Sequence, residues 1–214
     1  MGKHAYLIMA HHQFEILEKT LQLLDDVRND FFINIDSKTQ SVDFEALKSK
    51  VRYSKIFFID RMSVNWGGYS MIRCELALLS AATSTGHYAY YHLLSGVDLP
   101  IKRKEEIFAF FDKDAQTEYV HFAEIPPRDE IMERISKYHL CMEMNRRNLF
   151  VRIQKRFFVA AQKLLHVNRT AREKEQYAYG ANWFSITDAL ARYVLEHKKW
   201  IAKHFKHSNC ADEL

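Results

Sequence analysis

The chain has 214 residues, a formal net charge of +4, 48% hydrophobic residues and 27% charged residues. These values are typical of a folded globular protein, and they exclude disordered and collagen-like chains. No apolar run reaches the roughly 18 to 20 residues that a membrane-spanning helix needs. Three widely spaced cysteines without a CxxC pair indicate reduced thiols and a cytoplasmic protein; they are Cys74, Cys141 and Cys210.

The first 125 residues alternate between short apolar runs and segments with helical periodicity. The apolar runs predict five β-strands, at residues 5–10, 31–36, 55–60, 87–95 and 118–124. Helical spacing and composition predict four helices between them, at residues 13–26, 43–50, 69–83 and 105–111. Strands and helices that alternate in this way form crossover units. The sequence therefore predicts an α/β fold with a mainly parallel, Rossmann-like sheet flanked by helices.

Residues 126–214 have a different pattern, which begins at a Pro-Pro pair. The predicted elements are helices at 129–142 and 147–166, a strand at 178–187 and a helix at 188–197. Asp188 is the expected N-cap of the last helix. Because no clear linker separates the two parts, we predict a single domain over residues 1–214, with a helical insertion after the fifth strand.

Each of the five predicted strands in the first part of the chain ends in polar residues. They are His11–Gln13, Asp36–Lys38, Asp60–Arg61, Ser95–Asp98 and Glu124. Ligands of open α/β sheets bind at the carboxyl ends of the strands, so this pattern predicts a binding crevice, unless the strands simply end where solvent begins. The chain lacks GxGxxG and P-loop motifs, which disfavours classical dinucleotide and P-loop sites. Asp36 suits a ribose or base contact, or else it caps the following helix.

The sequence favours neither a metal site nor a nucleic-acid interface. Its one DxD string, Asp112–Asp114, follows a helix and precedes a strand, which places it at the opposite end of the sheet as a solvated turn. The histidines and cysteines show no zinc-binding spacing. The net charge is too small to indicate nucleic acid by itself, and no aromatic platform accompanies the basic residues. We therefore expect no metal and no nucleic-acid partner.

Residues 146–174 form a strongly basic segment with interleaved apolar residues. Its cations are Arg146, Arg147, Arg152, Lys155, Arg156, Lys163, Arg169, Arg172 and Lys174, against the single acid Glu173. A basic amphipathic helix of this kind suits peripheral contact with an anionic membrane surface. The alternative is a helix that covers the sheet and turns a solvated cationic face outward.

Six segments, in order along nearly the whole chain, resemble the Core-2/I-branching β-1,6-N-acetylglucosaminyltransferases and the related peptide xylosyltransferases. They are AYLIMAHHQFEILEKTLQLL, FFINIDSK, WGGYSMIRCELALL, YYHLLSGVDLPIK, GANWFSITDALARYVL and ADEL. SGVDLPIK is the most specific of these strings. The resemblance implies a GT-A type fold, inversion at the anomeric carbon, and catalysis without the usual DxD-bound metal.

The resemblance also assigns roles to individual residues. It places contacts to the nucleotide sugar at Met9, Ala10, His11, Asp36, Ser37, Lys38 and Trp66. It places the catalytic base at Glu213 and acceptor contacts at Glu124 and Arg134. Matching Arg134 to the family requires a two-residue gap in the alignment. Residues 1–125 then form the nucleotide-sugar-binding half and residues 126–214 the acceptor half. For the leaving diphosphate, Lys38 is the nearest candidate cation by position, and Lys102 and Arg103 are the next candidates.

The function implied is metal-independent transfer of a sugar, N-acetylglucosamine, from a UDP-sugar to a hydroxyl of a glycan or lipid-linked glycan, with no cofactor beyond the donor. Xylosyl transfer and a non-catalytic nucleotide-sugar-binding module are the alternatives. The family continues beyond the position of Glu213, with basic residues that hold the diphosphate, so we expect the family domain to be truncated here. We expect a cytoplasmic protein, peripheral at the inner face of the membrane.

Overall fold

The computed structural model describes residues 2–123, 129–144, 148–171 and 176–213. The chain divides into two compact units. Unit 1 comprises Met1–Ser63, Cys74–Val120 and Trp183–Glu196. Unit 2 comprises Val64–Arg73, His121–Asn182 and His197–Leu214. The chain thus passes between the units several times, and the single domain over residues 1–214 stays a prediction.

Unit 1 contains one six-stranded sheet. Its strands are β1 (His4–Ala10), β2 (Asn29–Ile35), β3 (Lys55–Phe58), β4 (Tyr90–Ser95), β5 (Tyr119–Val120) and β6 (Phe184–Thr187). The strand order is β3-β2-β1-β4-β6-β5. The first four strands are parallel, whereas β6 pairs antiparallel with both β4 and β5. The α/β class with a mainly parallel sheet is confirmed. Strand β6 runs against the other five strands, and both β5 and β6 are shorter than predicted.

Eight α-helices and one 3₁₀ turn fall in the described ranges. They are α1 (Phe14–Leu23), α2 (Phe44–Lys48), α3 (Tyr69–Thr85), α4 (Lys104–Lys113), α5 (Asp129–Ser136), α6 (Leu149–Leu164), α7 (Asp188–Glu196), α8 (Lys198–Phe205) and the 3₁₀ turn Ala211–Glu213. Helices α5 and α6 form the insertion predicted after the fifth strand. Helix α8 was not predicted. In those ranges, no helix combines the length and the apolar character required to cross a membrane.

The core of unit 1 lies between the sheet and helix α1. Every residue of β2 is buried, as expected of a strand covered on both faces. Leu17, Leu21 and Leu24 form an apolar stripe in the segment predicted as a helix at residues 13–26, and they are buried against the sheet. Burial of one such side chain stabilises the fold by about 1.5–3 kcal/mol. The apolar strands and this stripe therefore pack into one core, which holds the sheet and thus the positions of its strand ends.

A buried chain of polar side chains connects three strands of the sheet. His4 Nδ1 on β1 lies 2.9 Å from His92 Nε2 on β4, and His92 Nδ1 lies 2.8 Å from Ser185 Oγ on β6. Burial lowers the pKa of His4 to about 4 and lowers the pKa of His92 well below its usual value. Both rings are therefore neutral at pH 7, and their hydrogen bonds compensate for the lost hydration.

The start of helix α7 differs from the prediction by one residue. Thr187 Oγ1 accepts a hydrogen bond from Leu190 N (3.4 Å), so Thr187 occupies the capping position expected of Asp188. Asp188 instead accepts hydrogen bonds from the Tyr91 hydroxyl (2.6 Å) and from Arg192 Nε (2.9 Å). Its carboxylate therefore joins the helix to β4.

Unit 2 is held by contacts between residues far apart in sequence. Lys163 Nζ of α6 lies 2.7 Å from Glu133 Oε1 of α5. Arg169 donates to the carbonyl oxygen of His204 (2.6 Å), at the end of α8. Asn209 N donates to the carbonyl oxygen of Arg134 (2.9 Å). These contacts fix α5, where Arg134 lies, relative to the segment that leads to the 3₁₀ turn.

Candidate functional site

The end of β1 lies between two neighbouring strand ends in unit 1. Asp36 N donates to the carbonyl oxygen of Ala10 (2.9 Å) on one side, and Gly96 N donates to that of Met9 (2.8 Å) on the other. Because β1, β2 and β4 are parallel, their carboxyl ends share one edge of the sheet. The structure thus brings together the predicted residues Met9 to His11 and Asp36 to Lys38.

Gly96 is required by the close packing of these strand ends. A Cβ atom at position 96 would lie 2.5 Å from Ala10 Cβ and 2.9 Å from Ala10 Cα. Real Cβ atoms do not approach other heavy atoms so closely. The glycine of the SGVD segment therefore lets the turn after β4 pass next to β1.

Asp36 is a buried carboxylate, with 5% of its surface exposed. Its Oδ1 accepts a hydrogen bond from Lys38 N (2.8 Å), and its Oδ2 lies 3.3 Å from Lys38 Nζ. It does not cap the following helix, because Asp43 accepts the hydrogen bond from Ala46 N (2.9 Å) at the start of α2. The capping alternative for Asp36 is therefore wrong, and Asp36 with Lys38 forms a small charged turn at the strand end.

Ser37, His11 and Arg61 complete this turn. Ser37 is exposed, and its N–H donates to the carbonyl oxygen of Met62 (3.1 Å). Partial burial and the neighbouring His12 lower the pKa of His11, so its imidazole is neutral at pH 7. Arg61 donates to the carbonyl oxygen of Asp36 (2.8 Å) and thereby supports the turn. No role was predicted for Arg61, although its position after the third strand was the available signal.

Other polar residues after β4 have structural partners. Asp98 Oδ2 accepts a hydrogen bond from Ser95 N (2.7 Å), which makes Asp98 part of the turn itself. Lys102 and Arg103 are exposed and lie 3.6 Å and 3.4 Å from carboxylate oxygens of Glu106. Within unit 1, Lys38 and Arg61 are thus cations placed at the strand ends.

The DxD string lies at the other end of the sheet, as predicted. The carbonyl oxygen of Asp114 accepts a hydrogen bond from the hydroxyl of Tyr90 (2.8 Å), the first residue of β4. Both aspartates are exposed. Among the described residues, no group of three or more His, Cys, Asp or Glu side chains is arranged to hold a metal ion.

In unit 2, the structure brings together two predicted residues that are 79 positions apart. Glu213 Oε2 lies 2.6 Å from Arg134 Nη1, and both side chains are about 30% exposed. The carbonyl oxygen of Glu213 accepts a hydrogen bond from Gly180 N (2.9 Å). Burial acts to lower the pKa of Arg134, but the hydrogen bond to Glu213 and the nearby negative groups together outweigh burial and raise it. The pair is a partly exposed, charge-assisted contact of the kind that fixes a carboxylate in one orientation.

Asp212 stands next to this pair in a different environment. Burial raises the pKa of Asp212, and the negative charge of Glu213 raises it further. In the part of the chain that the structure describes, the buried Oδ1 of Asp212 accepts no hydrogen bond. Of the two neighbouring carboxylates, Glu213 is the one that an arginine side chain contacts. Asp212 was not predicted, and its only signal was its position beside Glu213.

Trp66 lies in a tight turn of unit 2, with 66% of its surface exposed. Gly68 N donates to the carbonyl oxygen of Asn65 (2.8 Å), and Gly67 has a φ of 69°, which favours glycine. An exposed indole on a rigid turn is suited to stack on a base or a sugar ring. Glu124, which was predicted together with Arg134 to contact the acceptor, lies outside the described residues.

Helix α6 is confirmed over most of the predicted range, and most of its apolar side chains are exposed. Exposed apolar residues in and just after it are Leu149, Phe150, Ile153, Phe157, Phe158, Leu164 and Leu165. Phe157 is 69% exposed and Leu164 is 80% exposed. Arg152 and Arg156 are exposed on the same helix. Arg146, Arg147, Arg172, Glu173 and Lys174 lie outside the described residues. The described helix therefore presents both apolar and cationic side chains to solvent.

Comparison with known proteins agrees with the sequence resemblance. The family model described as Core-2/I-branching enzyme matches residues 4–213. The human β-1,3-galactosyl-O-glycosyl-glycoprotein β-1,6-N-acetylglucosaminyltransferase is 27% identical over 106 residues, which cover 48% of this chain and 25% of that protein. Dog xylosyltransferase 2 is 23% identical over 120 residues, covering 54% of this chain and 14% of the relative. The matches thus span a quarter or less of these relatives.

Two solved structures share a more distant likeness. Mouse xyloside xylosyltransferase 1 in its apo form has a TM-score of 0.37 and 10% identity, over 98% of this chain and 78% of that one. Core-mannan synthase A from Aspergillus fumigatus, in an Mn/GDP form, has a TM-score of 0.40 and 11% identity, over 98% of this chain and 67% of that one.

Proposed function

We propose that this chain, which belongs to the Core-2/I-branching enzyme family, transfers N-acetylglucosamine from a UDP-sugar to a hydroxyl group of a glycan, with inversion. The observation that carries the proposal is the contact between Glu213 and Arg134. The resemblance assigns these two residues to the base and to the acceptor, and no feature of their spacing in the sequence would bring them together.

Glu213 is the residue that we assign as general base. A sugar hydroxyl is a poor nucleophile at pH 7, so removal of its proton during attack lowers the barrier. The acceptor oxygen bonds to the anomeric carbon as the bond from that carbon to the diphosphate breaks. The proton passes to Glu213 and UDP leaves. Arg134 contacts Oε2 of Glu213, and we assign Oε1 to the incoming proton.

The strand ends of unit 1 are the part that we assign to the donor. The buried carboxylate of Asp36 suits a polar group of the nucleotide, and Lys38 beside it suits the negative charge of the diphosphate. Trp66 is suited to stack on the donor. We propose that the reaction needs no metal, because the leaving group is stabilised by fixed cations.

The test of the function is a transfer assay with defined donors. The protein is incubated with UDP-N-acetylglucosamine or UDP-xylose and a panel of glycan acceptors, in EDTA and in manganese. Acceptor-dependent release of UDP from UDP-N-acetylglucosamine, equal in both buffers, is expected. Preference for UDP-xylose would favour the xylosyltransferase alternative. UDP binding without turnover would favour the non-catalytic module, and a requirement for manganese would refute the metal-free proposal.

We further propose a peripheral position on the inner face of the membrane, where the acceptor is a lipid-linked glycan. Support comes from helix α6, whose exposed Phe150 and Phe157 stand among exposed arginines. Apolar side chains that enter a bilayer surface each contribute on the order of 1.5–3 kcal/mol, and nearby cations are attracted to anionic lipids.

Vesicle sedimentation tests this membrane contact. The protein should bind vesicles of anionic phospholipid at low salt and be released as salt rises. Phe150→Ser with Phe157→Ser should reduce binding at least about tenfold. Phe110→Ser is the matched control, since Phe110 is an exposed phenylalanine on α4 of unit 1. Unchanged binding of the double variant, or no binding at any salt concentration, would contradict the proposal.

A further inference from the structure

One carboxylate in unit 2 holds the turn that carries Trp66. Glu143 Oε1 accepts a hydrogen bond from Ser70 N (2.7 Å), and its Oε2 accepts one from Asn65 Nδ2 (3.0 Å). Asn65 Nδ2 also lies 3.2 Å from the carbonyl oxygen of Glu143. Ser70 is in the first turn of α3, where backbone N–H groups have no partner within the helix. Glu143 therefore caps a helix and fixes a turn that lies more than 70 residues before it.

The second glycine of the turn, Gly68, fits closely against this carboxylate. A Cβ atom at Gly68 would lie 2.7 Å from Glu143 Oε1 and 3.1 Å from the carbonyl oxygen of Asn65. Partial burial pushes the pKa of Glu143 upward, but the hydrogen bonds from Asn65 and Ser70 outweigh burial and lower it. The carboxylate is thus ionised at pH 7, in which state it accepts these hydrogen bonds most strongly.

The same turn also contacts the segment that leads to Glu213. Cys210 N donates to the carbonyl oxygen of Gly67 (2.9 Å), and Glu213 N lies 3.4 Å from the carbonyl oxygen of Cys210. Cys210 has a φ of 49°, an uncommon conformation for a residue other than glycine. Glu143 and Cys210, the residue immediately before the 3₁₀ turn, therefore both bind to the four residues Asn65–Gly68.

We propose that Glu143 is a positioning residue, which sets the turn Asn65–Gly68 and, through it, both Trp66 and the segment that carries Glu213. The mechanistic part of this inference rests on the proposed function. Loss of Glu143 would release one side of the turn and leave the helix cap unmade. Trp66 would then lose its fixed orientation, and the hydrogen bond between Cys210 and Gly67 would open more often.

Hydrogen exchange tests the inference without any assay of activity. Glu143→Ala should speed exchange of the amide of Cys210 about tenfold, although Glu143 does not touch that residue in any contact described above. Glu133→Ala is the matched control, because it removes a different glutamate side chain of unit 2, one that pairs with Lys163. Unchanged exchange at Cys210 in Glu143→Ala would overturn the inference, as would equal acceleration in the control.

Kinetics of paired variants then show whether Glu143 acts through Trp66. Glu143→Ala should raise the KM for the UDP-sugar about tenfold, and this effect should largely disappear when Trp66 is already alanine. Glu143→Gln, which keeps the size of the side chain and one acceptor oxygen, should lie between the wild type and Glu143→Ala, and it serves if the alanine variant does not fold. An undiminished effect in the Trp66→Ala background would overturn the coupling. If the wild type shows no turnover but Glu143→Ala speeds exchange at Cys210 as expected, the proposed function is contradicted and the positioning role of Glu143 is not.

Discussion

The strand ends of unit 1 and the Glu213 turn of unit 2 position their functional groups in different ways. Asp36 follows a fully buried strand, and backbone hydrogen bonds to Ala10 and within its own turn hold it in place. Glu213 ends a short 3₁₀ turn and is held by an ion pair with Arg134 and by backbone hydrogen bonds with Gly180 and Cys210. The comparison indicates that the sheet fixes Asp36 through a buried strand and local backbone hydrogen bonds. The groups of unit 2 depend on a few long-range contacts.

The largest expected effect follows from replacing Glu213 by glutamine. The amide keeps the size and polarity of the side chain, but it cannot take up the acceptor proton. Turnover should fall by about 10² to 10⁴, while the affinity for UDP stays unchanged. Steady-state kinetics and calorimetry with UDP measure the two quantities. Turnover like that of the wild type would show that another residue is the base, with Glu124 the next to replace.

Acid should weaken unit 1 through its buried histidines. The pKa of His4 is about 4 in the folded protein and 6.5 ordinarily, so the unfolded chain binds the proton more readily. Stability is therefore complete above about pH 6.5 and falls as the pH approaches 4, by about 3 kcal/mol for His4. Urea unfolding at pH 7.0, 5.5 and 4.0 measures this loss.

A pair of variants assigns that loss to the buried network. His4→Asn retains a polar group near the position of Nδ1 and should flatten the dependence on pH. His166→Gln changes an exposed histidine and should leave the dependence as it is. The same slope in His4→Asn as in the wild type would show that other groups cause the acid sensitivity.

The smallest expected effect concerns Asp36, at the strand ends that we assign to the donor. Asp36→Ala should weaken UDP binding by about 1–3 kcal/mol, because a buried polar group of the ligand would lose its partner. Asp43→Ala is the control, since it removes the cap of α2 and should cost about 0.5–2 kcal/mol of stability without a change in UDP affinity. If both variants bind UDP like the wild type, Asp36 has a role only in the turn.

The parts of the fold with strong local signals were predictable from the sequence. Continuous apolar runs predicted β1, β2 and β4 to within about three residues, and the stripe of Leu17 and Leu21 predicted α1. The antiparallel pairing of β5 with β6 was not predicted, because β5 has only two residues and its direction depends on a partner more than 60 residues later. Helix α8 was missed because it has only eight residues and a single residue, His197, separates it from α7.

The candidate site was predictable to different degrees in the two units. Asp36 and Lys38 follow from strand ends that any parallel sheet brings to one edge. Arg134 and Glu213 came only from the family resemblance, because no local pattern connects them. Glu143 carries no signal at all, since its role depends on a contact with a turn more than 70 residues away. Physical reasoning from sequence thus locates groups that a sheet aligns, and it misses those that long-range packing brings together.

The close contact at Gly96 has a consequence for how this sequence can change over evolution. Replacing Ala10 by glycine would remove one obstacle to a side chain at position 96, but the Cα of residue 10 would still lie 2.9 Å from the new Cβ. No single compensating substitution at the neighbour therefore opens the space. Gly86, where nothing lies within 4 Å of an added Cβ, meets no such barrier. Homologous sequences should accordingly keep glycine at position 96 and vary freely at position 86.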